Sequence, residues 1–268
     1  ARTFASASDS KIMLTSKLMK SLLVIIGILV SIAAAQVVFA QAQSAEGLIT
    51  YEVKVNLHRR LPPGQEARKA MIPEFRTTKQ QLYFNSNESL YKPIIEDEEE
   101  DMNAGNSGGM RIRIQQPNDE TYIQPSETKL ISKREFMGKD YLIKDTLKIA
   151  PWKLGTETKE IQGYLCKMAW YVDERQPDRK QEITAWYTDQ LRPMLGPEQF
   201  GSLPGAVLAV DINNGERVII ARQIELRSLK KNEMKVPDKG QEMSQAEFRK
   251  MVDETMKQMG GNGRVIIR

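Results

Sequence analysis

The chain has 268 residues, enough for one large domain or two small ones. It carries 39 basic and 35 acidic side chains, a net charge of +4. Residues 1–40 hold three of those net positive charges, so the rest of the chain is nearly neutral and lacks the basic footprint of a nucleic-acid-binding protein. The single cysteine, Cys166, excludes an internal disulfide. Its alternating surroundings predict a buried side chain, with a reactive or intermolecular thiol as the alternative.

An export signal is predicted near the start of the chain. Because the sequence begins with Ala rather than Met, residues 1–18 are interpreted as lying upstream of the true start. Two lysines, an apolar run and the small residues Ala40 and Ala42 are typical of a cleaved secretory signal peptide over residues 19–42. An uncleaved membrane anchor is the alternative. No cysteine marks a lipoprotein, so we expect a periplasmic, outer-membrane-associated or secreted protein that meets the membrane only through this signal.

Residues 43–237 are predicted to form a β-rich domain. Its first strand, Gly47–Leu57, alternates apolar and polar side chains. A short helix over Gln65–Met71 and two short strands within Lys79–Tyr91 follow. The acidic and then Gly-rich block at residues 96–109 predicts a solvated or disordered loop, with a calcium site as the alternative.

A succession of short strands continues from Met110. They are predicted at Arg111–Gln115, Thr121–Gln124, Lys129–Phe136, Asp140–Asp145, Lys159–Asp173 with a break at Gly163, Gln181–Thr188, Ala206–Ile212 and Arg217–Leu226. Asn213-Asn214-Gly215 predicts a tight hairpin between the last two. No long helices alternate with these strands, so an antiparallel sheet is favoured over a parallel one.

Two Gly/Pro turn elements stand in quick succession within Leu195–Asp211, at Gly196-Pro197 and Pro204-Gly205. Leu203 precedes proline and is therefore expected to be extended. Gly205 follows proline, which predicts the third position of a type II turn, where φ is positive.

Residues 238–268 are predicted to be a C-terminal helix and tail of the same domain. Ser244-Gln245-Ala246-Glu247 matches a capping box, and an apolar stripe then recurs at helical spacing. The stripe contains Phe248, Met251, Val252, Thr255, Met256 and Met259. Gly260-Gly261 is expected to end the helix, and Arg264–Arg268 is predicted as an edge strand.

Together these elements predict a mainly β fold with a single curved or partly closed antiparallel sheet, half-barrel-like, and one C-terminal amphipathic helix packed on it. That geometry resembles the lipoprotein-carrier proteins, in which a helix covers the concave face of the sheet. The resemblance implies an apolar cavity under the helix Ser244–Met259.

The residues that usually carry enzymatic chemistry are sparse. One histidine, His58, and one cysteine cannot make a zinc site of the usual kind, and no Gly-x-Ser-x-Gly elbow is present. Carboxylates are plentiful but no pair stands out, so no catalytic, cofactor-binding or metal-binding residue is assigned. Trp152, Trp170 and Trp186 are interpreted as core residues, with sugar stacking as the alternative.

Several motifs resemble the GLPGLI family of secreted proteins. Ser202-Leu203-Pro204-Gly205-Ala206-Val207 is similar to the motif that names the family, and three upstream pieces agree with it: W-K-L followed by E-T-K, I-x-G-Y-x-C, and A-W-Y-T. The family-motif residues, expected to be structural, are Trp152, Gly163, Tyr164, Cys166, Trp186, Tyr187, Gly196, Pro197, Leu203, Pro204 and Gly205. The resemblance implies export and a β-rich fold, and it assigns no activity.

These observations predict an exported, non-enzymatic cell-envelope protein that binds a hydrophobic ligand, a peptide or an outer-membrane partner. A carboxylate-based hydrolase of envelope polymers is one alternative. A structural component that pairs through edge strands, such as Arg264–Arg268, is another. No cofactor and no nucleic-acid partner are expected, and the oligomeric state is left open.

Overall fold

The computed structural model describes residues 46–61, 64–94, 118–174 and 180–260. Several sequence-based expectations lie outside the described residues. They are the leader and signal peptide (1–18 and 19–42), the acidic and Gly-rich loop 96–109 with its calcium alternative, the strand Arg111–Gln115 and the tail Arg264–Arg268.

The described chain forms one twelve-stranded sheet. Its strands are β1 (Gly47–Asn56), β2 (Phe75–Phe84), β3 (Ser89–Pro93), β4 (Glu120–Gln124), β5 (Lys129–Phe136), β6 (Lys139–Thr146), β7 (Lys153–Ile161), β8 (Tyr164–Asp173), β9 (Gln181–Thr188), β10 (Ala206–Ile212), β11 (Arg217–Leu226) and β12 (Gln241–Met243). Short 3-10 turns occupy His58–Arg60, Glu66–Ala70 and Pro125–Glu127, and one helix, α1, spans Gln245–Gly260.

The sheet is open, which confirms the predicted fold class. The spatial order is β12-β6-β5-β4-β3-β2-β1-β11-β10-β9-β8-β7, with β12 and β7 at its two edges. Every pairing between these strands is antiparallel except that of β12 with β6. The short β12 was not predicted, because three residues are too few to show a period.

The hairpin between β10 and β11 turns where the sequence predicts. Asn213, Asn214 and Gly215 all have positive φ, at 53°, 48° and 91°. Asparagine and glycine tolerate this region better than other residues do, which is why they mark such turns. The Gly215 N–H also donates to Asp211 Oδ1 at 2.6 Å, which ties the turn to the end of β10.

Strand β7 is longer than predicted. The sequence places its start at Lys159, whereas the strand begins at Lys153 and crosses Gly155. The β7–β8 register shifts between Leu154 and Thr158, so the strand accommodates Gly155 in an irregular stretch. A Cβ on Gly155 would lie 2.5 Å from the Met168 methyl carbon. Glycine here permits a close cross-strand approach and does not end the strand.

One face of the sheet carries the main hydrophobic core, and we call it the core face. The register places alternate side chains of successive strands on it, for example Ile49, Leu82 and Tyr91. The same face continues through Ile219 and Ala185 to the far strands. The inward side chains of these strands are almost fully buried and belong to a single cluster.

The opposite, outer face has a smaller core over β3–β6. Leu90, Tyr122, Ile131 and Leu142 are buried there. They are covered by the segment between β11 and β12, from which Met234 and a nearby valine pack onto them. The outer face is thus covered over one half of the sheet.

Helix α1 packs on the core face at β5 and β6. Its capping box forms as predicted: Ser244 N–H donates to Glu247 Oε2 at 2.7 Å, and Glu247 N–H donates to Ser244 Oγ at 3.2 Å. Phe248 is 9% exposed and packs edge-on against Phe136, 6.3 Å between ring centroids. Met256 is 39% exposed, so the predicted apolar stripe is buried only over its first turns.

Candidate functional site

An irregular segment, residues 189–205, covers the core face beside β10. Leu195 and Leu203 are 0% and 3% exposed and belong to the main core. Backbone hydrogen bonds close the segment, since Met194 N–H donates to the Leu203 carbonyl at 3.0 Å. Val207 N–H donates to the Leu195 carbonyl at 2.8 Å. We call residues 189–205 the corner segment.

Two glycines of the corner segment stand where backbones nearly touch. A Cβ on Gly205 would lie 2.1 Å from the Thr188 carbonyl oxygen, and one on Gly196 would lie 2.9 Å from the Gly201 Cα. The predicted type II turn is wrong, because Gly205 does not have positive φ. Glycine is required at this position for its missing side chain, not for its backbone conformation.

Glu198 is presented by a turn within the corner segment. Its φ is +52°, and Phe200 N–H closes the turn on the Pro197 carbonyl at 3.0 Å. Its carboxylate accepts two hydrogen bonds from Arg217 of β11, one of them 3.0 Å long from Nη1. Burial alone would raise the pKa of Glu198, but the charge and hydrogen bonds of Arg217 outweigh it and lower this pKa. Glu198 is therefore ionised at neutral pH and unsuited to act as a general acid.

A second arginine–carboxylate pair lies nearby on the core face. Arg134 Nη1 donates to Asp119 Oδ2 at 3.0 Å, and Asp119 Oδ1 accepts the Glu135 N–H at 2.9 Å. The charge of Arg134 also helps to lower the pKa of Glu198, and the charge of Asp119 helps to raise the pKa of Arg217. The two pairs thus belong to one electrostatic cluster.

Tyr91 of β3 completes this cluster. It is 4% exposed, and its hydroxyl has no hydrogen-bond partner among the described residues. Burial raises the pKa of Tyr91 well above its usual value, and the Glu198 charge adds to the effect. Neighbouring Tyr51, 6.0 Å away between ring centroids, donates its hydroxyl to the Val207 carbonyl at 2.6 Å. The polar cluster consists of Tyr91, Asp119, Arg134, Glu198 and Arg217.

The polar cluster offers both signs of charge and both kinds of hydrogen-bonding group. Its two guanidinium groups and two carboxylates balance, and their side chains are between 22% and 31% exposed. Carboxylates accept and guanidinium groups donate, so the cluster suits a neutral polar ligand better than an ion. Sequence reasoning missed all five residues. The available signal was Arg217, a charged residue on a strand whose other inward positions are apolar.

The predicted tryptophans lie in different environments. Trp152 donates from Nε1 to Ser202 Oγ at 3.0 Å and packs edge-on against Tyr171 at 4.6 Å, next to the corner segment. Trp186 is half-buried with Lys159 Nζ 4.1 Å from its ring centroid. Trp170 is 38% exposed under Lys153. An ammonium group therefore lies over one face of Trp170 and one face of Trp186.

The remaining predicted motif residues lie in the β7–β8 hairpin, in β9 and in the corner segment. Gly163 turns the hairpin with φ +79°, and Tyr164 follows it. Burial raises the pKa of the Cys166 thiol to about 11, so this thiol is un-ionised and unreactive at neutral pH. Tyr187 is buried in the main core. Pro197 and Pro204 stand at the two turns of the corner segment. The structure does not bring these residues into the polar cluster.

The described part of the chain lacks two further kinds of site. It contains no group of three or more His, Cys, Asp and Glu side chains placed to hold a metal ion. His58 Nε2 lies 3.0 Å from the Ile72 carbonyl. No helix there has the length and apolarity needed to cross a membrane.

The apolar cavity that was expected under helix α1 is filled by side chains. Phe248 fills the space between α1 and the sheet with Phe136, Tyr141 and Ile143. A groove of about 410 Å³ lies elsewhere, on the outer face, where β5 and β6 meet residues 237–242. Charged side chains, among them Lys129, line much of it. Its lining thus mixes charged and apolar side chains.

The model of the family "N-glycanase peptide, N-terminal domain" matches residues 95–250. Two solved structures of PNGF-II, in space groups P21 and C2, each align with a TM-score of 0.50 at 18% identity. The alignments cover 78% and 77% of this chain but only 33% and 32% of the PNGF-II chains. No curated protein sequence matches the chain.

These findings overturn the GLPGLI assignment and what was drawn from it. The matching family and structures belong to an enzyme, an N-glycanase, so the expectation of a non-enzymatic envelope protein of unknown activity is wrong. The alternatives, an envelope-polymer hydrolase and an edge-strand assembly component, fall with it. The motifs misled because Gly/Pro turns and buried strands recur in many β-sheet proteins. With its match over more than half of the sequence, the chain belongs to the family of N-glycanase N-terminal domains.

Proposed function

We propose that this chain takes part in the enzymatic release of N-linked glycans from proteins, and that its described domain binds the glycoprotein substrate. The family match over residues 95–250 carries this proposal. The chain spans about a third of the PNGF-II chains that it resembles.

The geometry of the domain supports a binding role. An open sheet leaves partly exposed polar side chains on the core face, between the corner segment and α1. Those side chains are held by their partners rather than free to rotate, as the two Arg217–Glu198 hydrogen bonds illustrate. Preorganised polar groups lose little conformational entropy when a ligand binds, which favours affinity for a soluble polar substrate.

An exported location agrees with this role. The leader predicted at residues 19–42 would direct the protein across the membrane, and we propose that it meets glycoproteins outside the cytoplasm.

The proposal is tested with one protein in two forms, glycosylated ribonuclease B and the same ribonuclease after removal of its glycan. The full chain is immobilised and the retained amount of each form is measured, while free glycan in the supernatant is followed by mass spectrometry. We expect preferential retention of the glycosylated form or release of its glycan. Equal retention of both forms together with no released glycan would overturn the proposed function.

A further inference from the structure

The Tyr91 hydroxyl is the least satisfied polar group of the polar cluster. The Tyr91 side chain is more than nine-tenths buried, yet its oxygen contacts no hydrogen-bond partner within the described part of the chain. Neighbouring Tyr51 is equally buried and has a 2.6 Å hydrogen bond. Because buried hydroxyl groups are nearly always paired, an unpaired one calls for a ligand or a water molecule.

The groups around Tyr91 have hydrogen-bonding capacity to spare. Arg217 has five N–H donors and uses two of them on Glu198. The Glu198 carboxylate has about four acceptor positions and is 23% exposed. Asp119 and Arg134 are 31% and 27% exposed, so both pairs present an open edge to solvent. A ligand at this edge would meet donors and acceptors side by side.

The balance of charges in the polar cluster indicates whether that ligand is charged or neutral. A sugar hydroxyl can accept from Arg217 and donate to Glu198 at once, without breaking the charge balance. An anionic group would have to compete with the Glu198 carboxylate for the same arginine. Neutral polyhydroxylated ligands are therefore favoured over phosphates and acidic sugars.

We propose that the polar cluster binds a neutral sugar unit of the glycan, and that the Tyr91 hydroxyl hydrogen-bonds to one of the sugar hydroxyl groups. This site assignment rests on the proposed function. It adds where the glycan binds and that the bound sugar is uncharged. Since the Tyr91 oxygen has almost no exposed surface, this contact requires a side chain beside it to move when the sugar binds.

The test replaces one oxygen atom, with Tyr91→Phe as the variant and Tyr83→Phe as the matched control. Tyr83 lies on β2, on the outer face, and its hydroxyl donates to Gln81 Oε1 at 2.5 Å. Titration calorimetry of the full chain with a neutral high-mannose glycopeptide should give a dissociation constant about tenfold weaker for Tyr91→Phe, as expected for one lost buried hydrogen bond. The control should bind as the wild type does.

Thermal unfolding separates binding from folding. Tyr91→Phe should melt no lower than the wild type, because it removes an unpaired hydroxyl and keeps the ring. Wild-type binding with an unchanged Tyr91→Phe affinity would overturn the site assignment and leave the proposed function standing. Tighter binding of a sialylated than of a neutral glycopeptide would also overturn the assignment. Absence of binding by the wild type would instead count against the proposed function itself.

Discussion

The corner segment and helix α1 both cover the core face, and they do so by different means. The corner segment has no regular secondary structure, yet Leu195 and Leu203 are almost fully buried and its glycines bring backbones into contact. Helix α1 is regular and well capped, but Phe248 is its only buried side chain among those described. Regularity of the backbone and strength of attachment are therefore separate properties in this domain.

The difference has a physical cause. A segment attached through its backbone has contacts at nearly every residue, and these contacts tolerate little change of shape. A helix attached mainly through Phe248, with Met251 and Val252 only partly buried beside it, can shift without breaking its own hydrogen bonds. The corner segment is thus the cover that can position Glu198 accurately, and the polar cluster is located beside it.

The largest expected effect is at the tightest point of the corner segment. A methyl group at Gly205 would lie 2.1 Å from the Thr188 carbonyl oxygen, so Gly205→Ala must displace backbone. We expect a loss of about 4 kcal/mol in the free energy of unfolding, measured with urea. Gly163→Ala is the control, since φ is +79° there but no atom lies within 4 Å, and it should lose about 1 kcal/mol. Equal losses in the free energy of unfolding for the two variants would show that the corner segment is not packed more closely than the β7–β8 hairpin.

The helix is tested next, through its main anchor. Phe248→Ala removes the ring that packs against Phe136 and Tyr141, and we expect a loss of about 3 kcal/mol in the same urea measurement. Met256→Ala, at a position 39% exposed, should change the free energy of unfolding by no more than about 0.5 kcal/mol. A larger effect at Met256 would mean that α1 is attached along its whole length.

The ion pair at the corner should make stability depend on pH. Because the pKa of Glu198 is lower in the folded than in the unfolded protein, its ionisation stabilises the fold above the unfolded pKa. This stabilisation is lost as the pH falls through the folded pKa. Glu198→Gln should therefore cost about 2 kcal/mol at pH 7 and much less in acid.

The control for this charge is Glu242→Gln. Glu242 pairs with Lys144 in an exposed position, the two side chains being 64% and 55% exposed. Exposed pairs contribute little, so we expect a loss of at most about 0.5 kcal/mol at pH 7. If urea titrations at several pH values gave the two variants the same profile, Glu198 would not be the electrostatic anchor of the corner.

The smallest expected effect is at the start of α1. Ser244→Ala removes the hydroxyl that accepts the Glu247 N–H, and we expect a loss of about 1 kcal/mol. Far-ultraviolet circular dichroism during thermal unfolding measures it. A loss of 3 kcal/mol or more would place α1 alongside the corner segment as a rigid cover.

The fold could be predicted from the sequence where residues repeat with a period. The alternation of β1 and the Asn-Asn-Gly turn between β10 and β11 both predict what the structure contains, because burial of one face imposes that pattern. The sequence predicts too late a start for β7, because a glycine such as Gly155 usually marks the end of a strand. The type II turn at Gly205 was wrong because a sequence does not reveal which backbones approach each other.

The polar cluster could not be predicted from the sequence for a related reason. Tyr91 and Glu198 are separated by more than a hundred residues, and three strands, β2, β1 and β11, lie between β3 and β10 in the sheet. Neither residue has a local motif that marks it as functional. The GLPGLI resemblance was wrong because it depends on short motifs, whereas the N-glycanase family model matches across residues 95–250.

The most direct test of this account is a nuclear magnetic resonance titration of the full chain with a neutral N-glycopeptide. We predict that the shifts of Tyr91, Glu198 and Arg217 change most and saturate together, while those of α1 beyond Phe248 stay constant. Changes confined to Trp170 and Trp186 on the outer face would contradict the account, because they would place the glycan on the opposite side of the sheet.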